Sequence, residues 1–166
     1  MQHMFAHRSF LDTGIVVPGA SDYGPGPFEP LMALQSMVTR RDFKGREWGA
    51  NQKVTVDEAL RIGTINGAHA SYEEASKGSI TAGKWADFVV LERDPHEVDP
   101  NTIKDIRIVQ TTVGGKVVYP ASGPAGPVET PCTRASANAD DANEPPIVLV
   151  VLVSAYGPVI CAQADG

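Results

Sequence analysis

The spacing of apolar residues changes along the first forty positions, and each change marks an element. Residues 1–14 read as a short helix closing at Gly14, a residue suited to the left-handed conformation that follows a helix. Ile15-Val16-Val17 is a β-branched run of the kind found in a strand buried on both faces, and it stops at Pro18-Gly19. Residues 20–27 form a loop rich in Gly and Pro. Leu31, Leu34, Met37 and Val38 then recur at i, i+3, i+6 and i+7, which predicts an amphipathic helix over 28–41.

A polar stretch, 42–53, leads to Thr55-Val56-Asp57-Glu58, which fits a capping box: Thr55 takes the N–H of Glu58 while Glu58 reaches back. The helix it opens runs through Ile62 and is punctuated by Gly63 and Gly67, and a second short helix is expected at 68–72. From Gly78 the period falls to two. A short strand and turn at 79–84, a strand at 86–91 and an alternating strand at 106–113 are predicted. Gly114-Gly115 then signals a hairpin into Lys116-Val117-Val118-Tyr119. Leu60, Ile80, Phe88, Val90, Ile108 and Val118 are the expected core of this part. Residues 121–146 are small, polar and aperiodic and are expected to be a disordered linker. The apolar tail from Ile147 onward has no evident place in the preceding pattern and is expected to be disordered or foreign to the fold.

Composition narrows the function classes. Apolar residues make up 42% and charged residues 20%, as in an ordinary globular chain. A formal net charge of −6 without any Lys/Arg-rich run disfavours nucleic acid as a partner. The N-terminus lacks a basic segment followed by an apolar one, and the run 147–162, broken by Gly157-Pro158, falls short of the ~20 residues a spanning helix needs. No membrane association is expected. Cys132 and Cys161 lack metal-site spacing and read as free thiols in a reducing cytoplasm.

Among the acids, Asp22 stands out because it follows the Ile15–Val17 strand in a Gly/Pro-rich loop. A carboxylate there could ligate a divalent metal and shuttle a proton from bound water, or it could form an Asx-turn or cap the next helix. His3 and His7 lie at i, i+4 and would share a helix face, either as a minimal metal pair or as ordinary surface histidines. His69 and His96 read as structural, and Trp48 and Trp85 as packing residues. The chain has no nucleophile elbow, P-loop or dinucleotide-binding glycine fingerprint.

Three segments in order resemble the amidohydrolase superfamily, and within it the amidohydrolase-3 or YtcJ-like group. They are Ser9–Asp22 with its closing Ala20-Ser21-Asp22; Val54–Leu60 with Thr64–Ala68 and then Lys77–Leu91; and Val113–Tyr119. The resemblance covers about residues 5–120 and implies a fold class: an α/β C-terminal fragment of a (β/α)8 metal-dependent hydrolase barrel, plus part of a small β-sandwich. Residues 1–53 would be the last barrel strand with flanking helices, 54–76 the post-barrel helices, 77–120 the sandwich portion and 121–166 a linker and tail. The resemblance makes Asp22 the strand-end aspartate that ligates the metal, zinc by resemblance, or holds its water and takes the proton during attack. Asp87 belongs to a structural motif. His7 and Arg8, at the start of a barrel helix, are candidate substrate contacts. The family's His-x-His, bridging residue and two later histidines have no counterparts here. The expected function is therefore hydrolysis of C–N bonds other than peptide bonds, on a small amide-like substrate, by a longer enzyme. This chain alone is expected to be inactive and to hold zinc poorly, and exposed apolar surface could favour self-association. A non-enzymatic half-barrel subunit or partner-binding module is the alternative.

Overall fold

The computed structural model describes residues 4–21, 29–42 and 44–119, together with the backbone of 148–154 and 157–160. Asp22, His3, the 121–146 segment and both cysteines lie outside the described residues. The elements are α1 (His7–Asp12), α2 (Pro30–Thr39), α3 (Val56–Gly63), α4 (Ile65–Ala70), β1 (Phe88–Leu91), β2 (Ile108–Val113), β3 (Lys116–Tyr119), β4 (Val148–Ser154) and β5 (Gly157–Ile160). Short 3₁₀ turns occupy Ala50–Gln52 and Pro100–Asp105.

Local chemistry accounts for most boundaries. Proline at the first position of α2 needs no intrahelical N–H partner. At the start of α3, Thr55 Oγ1 accepts from the Glu58 N–H at 3.2 Å and Glu58 Oε2 accepts from the Thr55 N–H at 2.8 Å, so the capping box forms as expected. Thr64 ends α3, and α4 begins at once, earlier than the 68–72 expectation. Gly114 and Gly115 both have positive φ, 56° and 76°, as a two-residue hairpin turn requires. Asp87 accepts from the Gly114 N–H and thus fastens the hairpin to the start of β1.

The sheet is antiparallel throughout, in the order β3-β2-β1-β4-β5. Phe88 sits opposite Thr112 and Val90 opposite Gln110, while the backbone of Val90 also faces that of Leu149. Helices cover one side. Leu31, Leu34 and Met37 of α2, Leu60 and Ile62 of α3, Val89 and Leu91 of β1, and Ile103 and Ile106 form one buried cluster. The described residues therefore make a small α/β layer and contain no parallel strand pair.

Three sequence expectations are corrected. Ile15-Val16-Val17 is not a strand buried on both faces: Ile15 is 50% and Val16 45% exposed, and among the described residues no strand pairs with them. Residues 79–84 form a turn without a strand, because Gly78 and Gly83 adopt positive φ and Lys84 Nζ folds back onto Ser79 Oγ at 2.7 Å. Ile80 and Val118 lie near the surface, while Ile103 and Ile106 take the core places expected of them. For Val118 the reason is geometric: β3 is the outer strand, and nothing covers its faces among the described residues; Ile80 lies in the turn.

Candidate active site

The segment leading to Asp22 is held by helix ends. Asn66 Nδ2 donates to the Val17 carbonyl at 2.9 Å, and the Gly19 N–H donates to the Ile62 carbonyl at 2.9 Å. A Cβ at Gly19 would sit 3.2 Å from Ile62 Cγ2, so glycine permits this close approach. The junction of α3 and α4 thereby fixes the backbone three residues before Asp22, whose own position lies outside the described residues.

His7 opens α1. Its Nδ1 is buried without a hydrogen-bond partner, and its N–H donates to the Phe5 carbonyl at 2.8 Å. Burial, and then the nearby Arg40 charge, push its pKa below the usual histidine value, against a smaller opposing effect of Phe5. The neutral ring this favours is the form that accepts a hydrogen bond or ligates a metal.

Arg8, the other candidate substrate contact, donates from Nη1 to Glu58 at 2.6 Å and from Nε to Asp12 at 2.8 Å. The hydrogen bond to Glu58 is the main reason its pKa is raised. Arg8 thus links α1 to the capping box of α3, and the same Glu58 closes that cap.

Three positioning residues escaped the sequence reading. Gln52 is 2% exposed; its Oε1 accepts from the Ser9 N–H at 3.0 Å and its Nε2 donates to Ser9 Oγ at 2.8 Å. Arg40, buried at the end of α2, donates to the carbonyls of Met4, Phe5 and Trp48. Asn66 holds Val17 as described. Only Asn66 lies within a recognisable motif, Thr64–Ala68. The other two act on residues far away in the chain and leave no local pattern.

Among the described residues no group of three His, Cys, Asp or Glu side chains is placed to hold a metal ion. A zinc site takes at least three protein ligands, so His7 alone does not make one. His69 is exposed, with Nδ1 3.8 Å from Glu74, and His96 lies between Asp94 and Asp57, far along the chain from α1. No helix among the described residues is long and apolar enough to cross a membrane.

A family profile described as the Amidohydrolase family matches residues 1–119, and the chain belongs to that family. It is 38% identical over 120 residues to an N-substituted formamide deformylase of Arthrobacter pascens, covering 72% of this chain and 22% of that protein. It is 34% identical to the putative amidohydrolase YtcJ of Bacillus subtilis (74% of this chain, 24% of the relative). It is 33% identical to an imidazolonepropionase of Bacteroides fragilis (69% and 25%). The chain therefore spans about a quarter or less of these relatives' length. No solved structure matches it significantly.

Proposed function

We propose that residues 1–119 are the closing segment of a (β/α)8 metal-dependent amidohydrolase that hydrolyses a C–N bond other than a peptide bond in a small amide-like molecule. The observation that carries this reading is the tether of residues 17–19 to the α3–α4 junction in a chain of this family: it presents the backbone leading to Asp22 without using a sheet ladder. Ile15 and Val16, left half exposed, have the composition of a strand that pairs on both sides in a complete barrel. The names of the relatives, deformylase and imidazolonepropionase, support C–N hydrolysis as the reaction class.

In this reading Asp22 takes a proton from water as the oxygen attacks the carbonyl carbon, and returns it to the departing nitrogen. His7, whose neutral form burial favours, and Arg8, which retains N–H donors beyond those used by Glu58 and Asp12, are the proposed substrate contacts. A divalent metal, zinc by resemblance, would supply Lewis acidity. The described residues do not form its site, so the other ligands are assigned to the part of the family that this chain does not span. The 166-residue chain is proposed to be catalytically silent and prone to self-association through its exposed apolar side chains.

Two measurements test the reading. In the longer enzyme that contains this segment, Asp22→Asn should fold and lose at least ~10²-fold in kcat, the scale of a positioned acid/base group; near-normal turnover removes Asp22 from the mechanism. Calorimetric zinc titration of the isolated chain, with a hydrolysis assay on a panel of amides, should show neither stoichiometric binding nor metal-dependent turnover. Tight one-to-one zinc binding with turnover would overturn the proposed silence.

A further inference from the structure

His96 lies in the turn after β1 with each ring nitrogen facing a carboxylate. Nδ1 is 2.6 Å from Asp94 Oδ1, and Nε2 is 3.1 Å from Asp57 Oδ1. Asp94 belongs to the same turn and also accepts the His96 backbone N–H at 2.8 Å. Asp57 belongs to the first turn of α3. These are the charged groups that face the ring from its own turn and from the helix packed against it.

The chemistry of imidazole makes this geometry selective. A neutral ring has one N–H and one lone pair, so either tautomer points a lone pair at a carboxylate oxygen. Only the doubly protonated ring donates to both carboxylates at once. The two contacts differ in setting: the Asp94 side chain is 12% exposed and the Asp57 side chain 75% exposed. The Asp94 contact orients the ring, and the Asp57 contact, across the gap to α3, is the one open to solvent and salt.

We propose that His96 is a pH-operated clasp, which as imidazolium fastens the turn after β1 to the N-terminal turn of α3 and on losing a proton releases it. The direction of its titration agrees. Burial opposes protonation, but the hydrogen bonds and charges of Asp94 and Asp57 outweigh it and raise the pKa above the ordinary histidine value of 6.5. The sign follows: a raised folded-state pKa gives stability that is fully present below pH 6.5 and is lost as pH rises through the folded-state value. Each unit of elevation corresponds to a tenfold change in the opening equilibrium across that window. The clasp joins the sheet to the same helix turn that holds α1 through Glu58 and Arg8, so its release loosens the sheet side of that turn alone.

The test is an NMR titration of the histidine ring signals in the full chain, wild type and Asp57→Asn, at low and moderate salt. His96 should titrate above 6.5 in the wild type. Asp57→Asn should lower that value, and moderate salt should do so in the wild type but hardly in the variant. Titration at or below 6.5, or a value indifferent to Asp57→Asn, would overturn the clasp. Should Asp57→Asn disturb α3, thermal unfolding of His96→Gln against pH gives an independent reading. The wild type should lose its advantage over His96→Gln as pH rises through the window, and a constant difference would overturn the proposal.

Discussion

Gln52 is a polar side chain with almost no solvent contact, and all its visible work is directed at Ser9. Substituting leucine would leave the Ser9 N–H and hydroxyl without their partner in a part-buried place. Leaving such groups unsatisfied costs ~1–3 kcal/mol, so Gln52→Leu should lower stability by about that amount in denaturant unfolding. An unchanged midpoint would mean water replaces the amide. Asp42 differs in being a half-buried carboxylate ringed by donors. The Trp48 indole N–H, followed by the backbone and side chain of Arg46 and the backbone of Lys44, holds its carboxyl well below the usual value of 3.8 despite a desolvation effect in the other direction. A depressed folded-state pKa stabilises above the unfolded value and loses that contribution as pH falls through the folded one. Trp48→Phe should therefore move the Asp42 carboxyl titration back toward 3.8 in a carbon-13 NMR experiment. No movement would assign the effect to Arg46 instead.

At the scale of elements, the turn at Gly78 ties the sheet portion to α4. Its φ is +88°, and an added Cβ would lie 2.8 Å from Ala68 Cβ and 3.0 Å from Ile65 Cα. Both the backbone conformation and the helix packing reject a side chain there. Gly78→Ala should cost more than the ~1 kcal/mol of an ordinary left-handed position, because the atoms it meets are a backbone carbon and a short side chain. Gly83→Ala, with open space around the same kind of φ, supplies the comparison. Equal melting temperatures for the two variants would show that strain alone matters.

These elements also show what the sequence could convey. The capping box at Thr55 and Glu58, the Leu31–Met37 stripe and the Gly114-Gly115 hairpin are local patterns, each set by residues close together in the chain, and all three appear in the fold. The β-branched composition of Ile15–Val17 suggests a strand, but a strand exists only with a neighbour to bond, and none pairs with it among the described residues. A strand pattern at 79–84 suggests a core place for Ile80, but two glycines of positive φ turn the chain there and leave it near the surface. At the candidate site, the Gly/Pro-rich loop after Ile15–Val17 singles out Asp22, and the start of a helix singles out His7 and Arg8. The partners that hold their backbone, Gln52, Arg40 and Asn66, act over long chain separations that periodicity does not encode.

For the molecule as a whole, Arg40 has a consequence beyond local packing. It occupies a left-handed backbone position, φ 58°, where glycine would be easier, and its guanidinium grips Met4 and Phe5 on one side and Trp48 on the other. One side chain thus knots together stretches of chain 35 and 36 positions apart. Closing so long a loop is an entropic cost met once, and releasing the knot frees both stretches together. In native-state hydrogen exchange the amides of residues 7–10 and those of 40–48 should accordingly open as one cooperative unit, with a shared free energy below that of global unfolding.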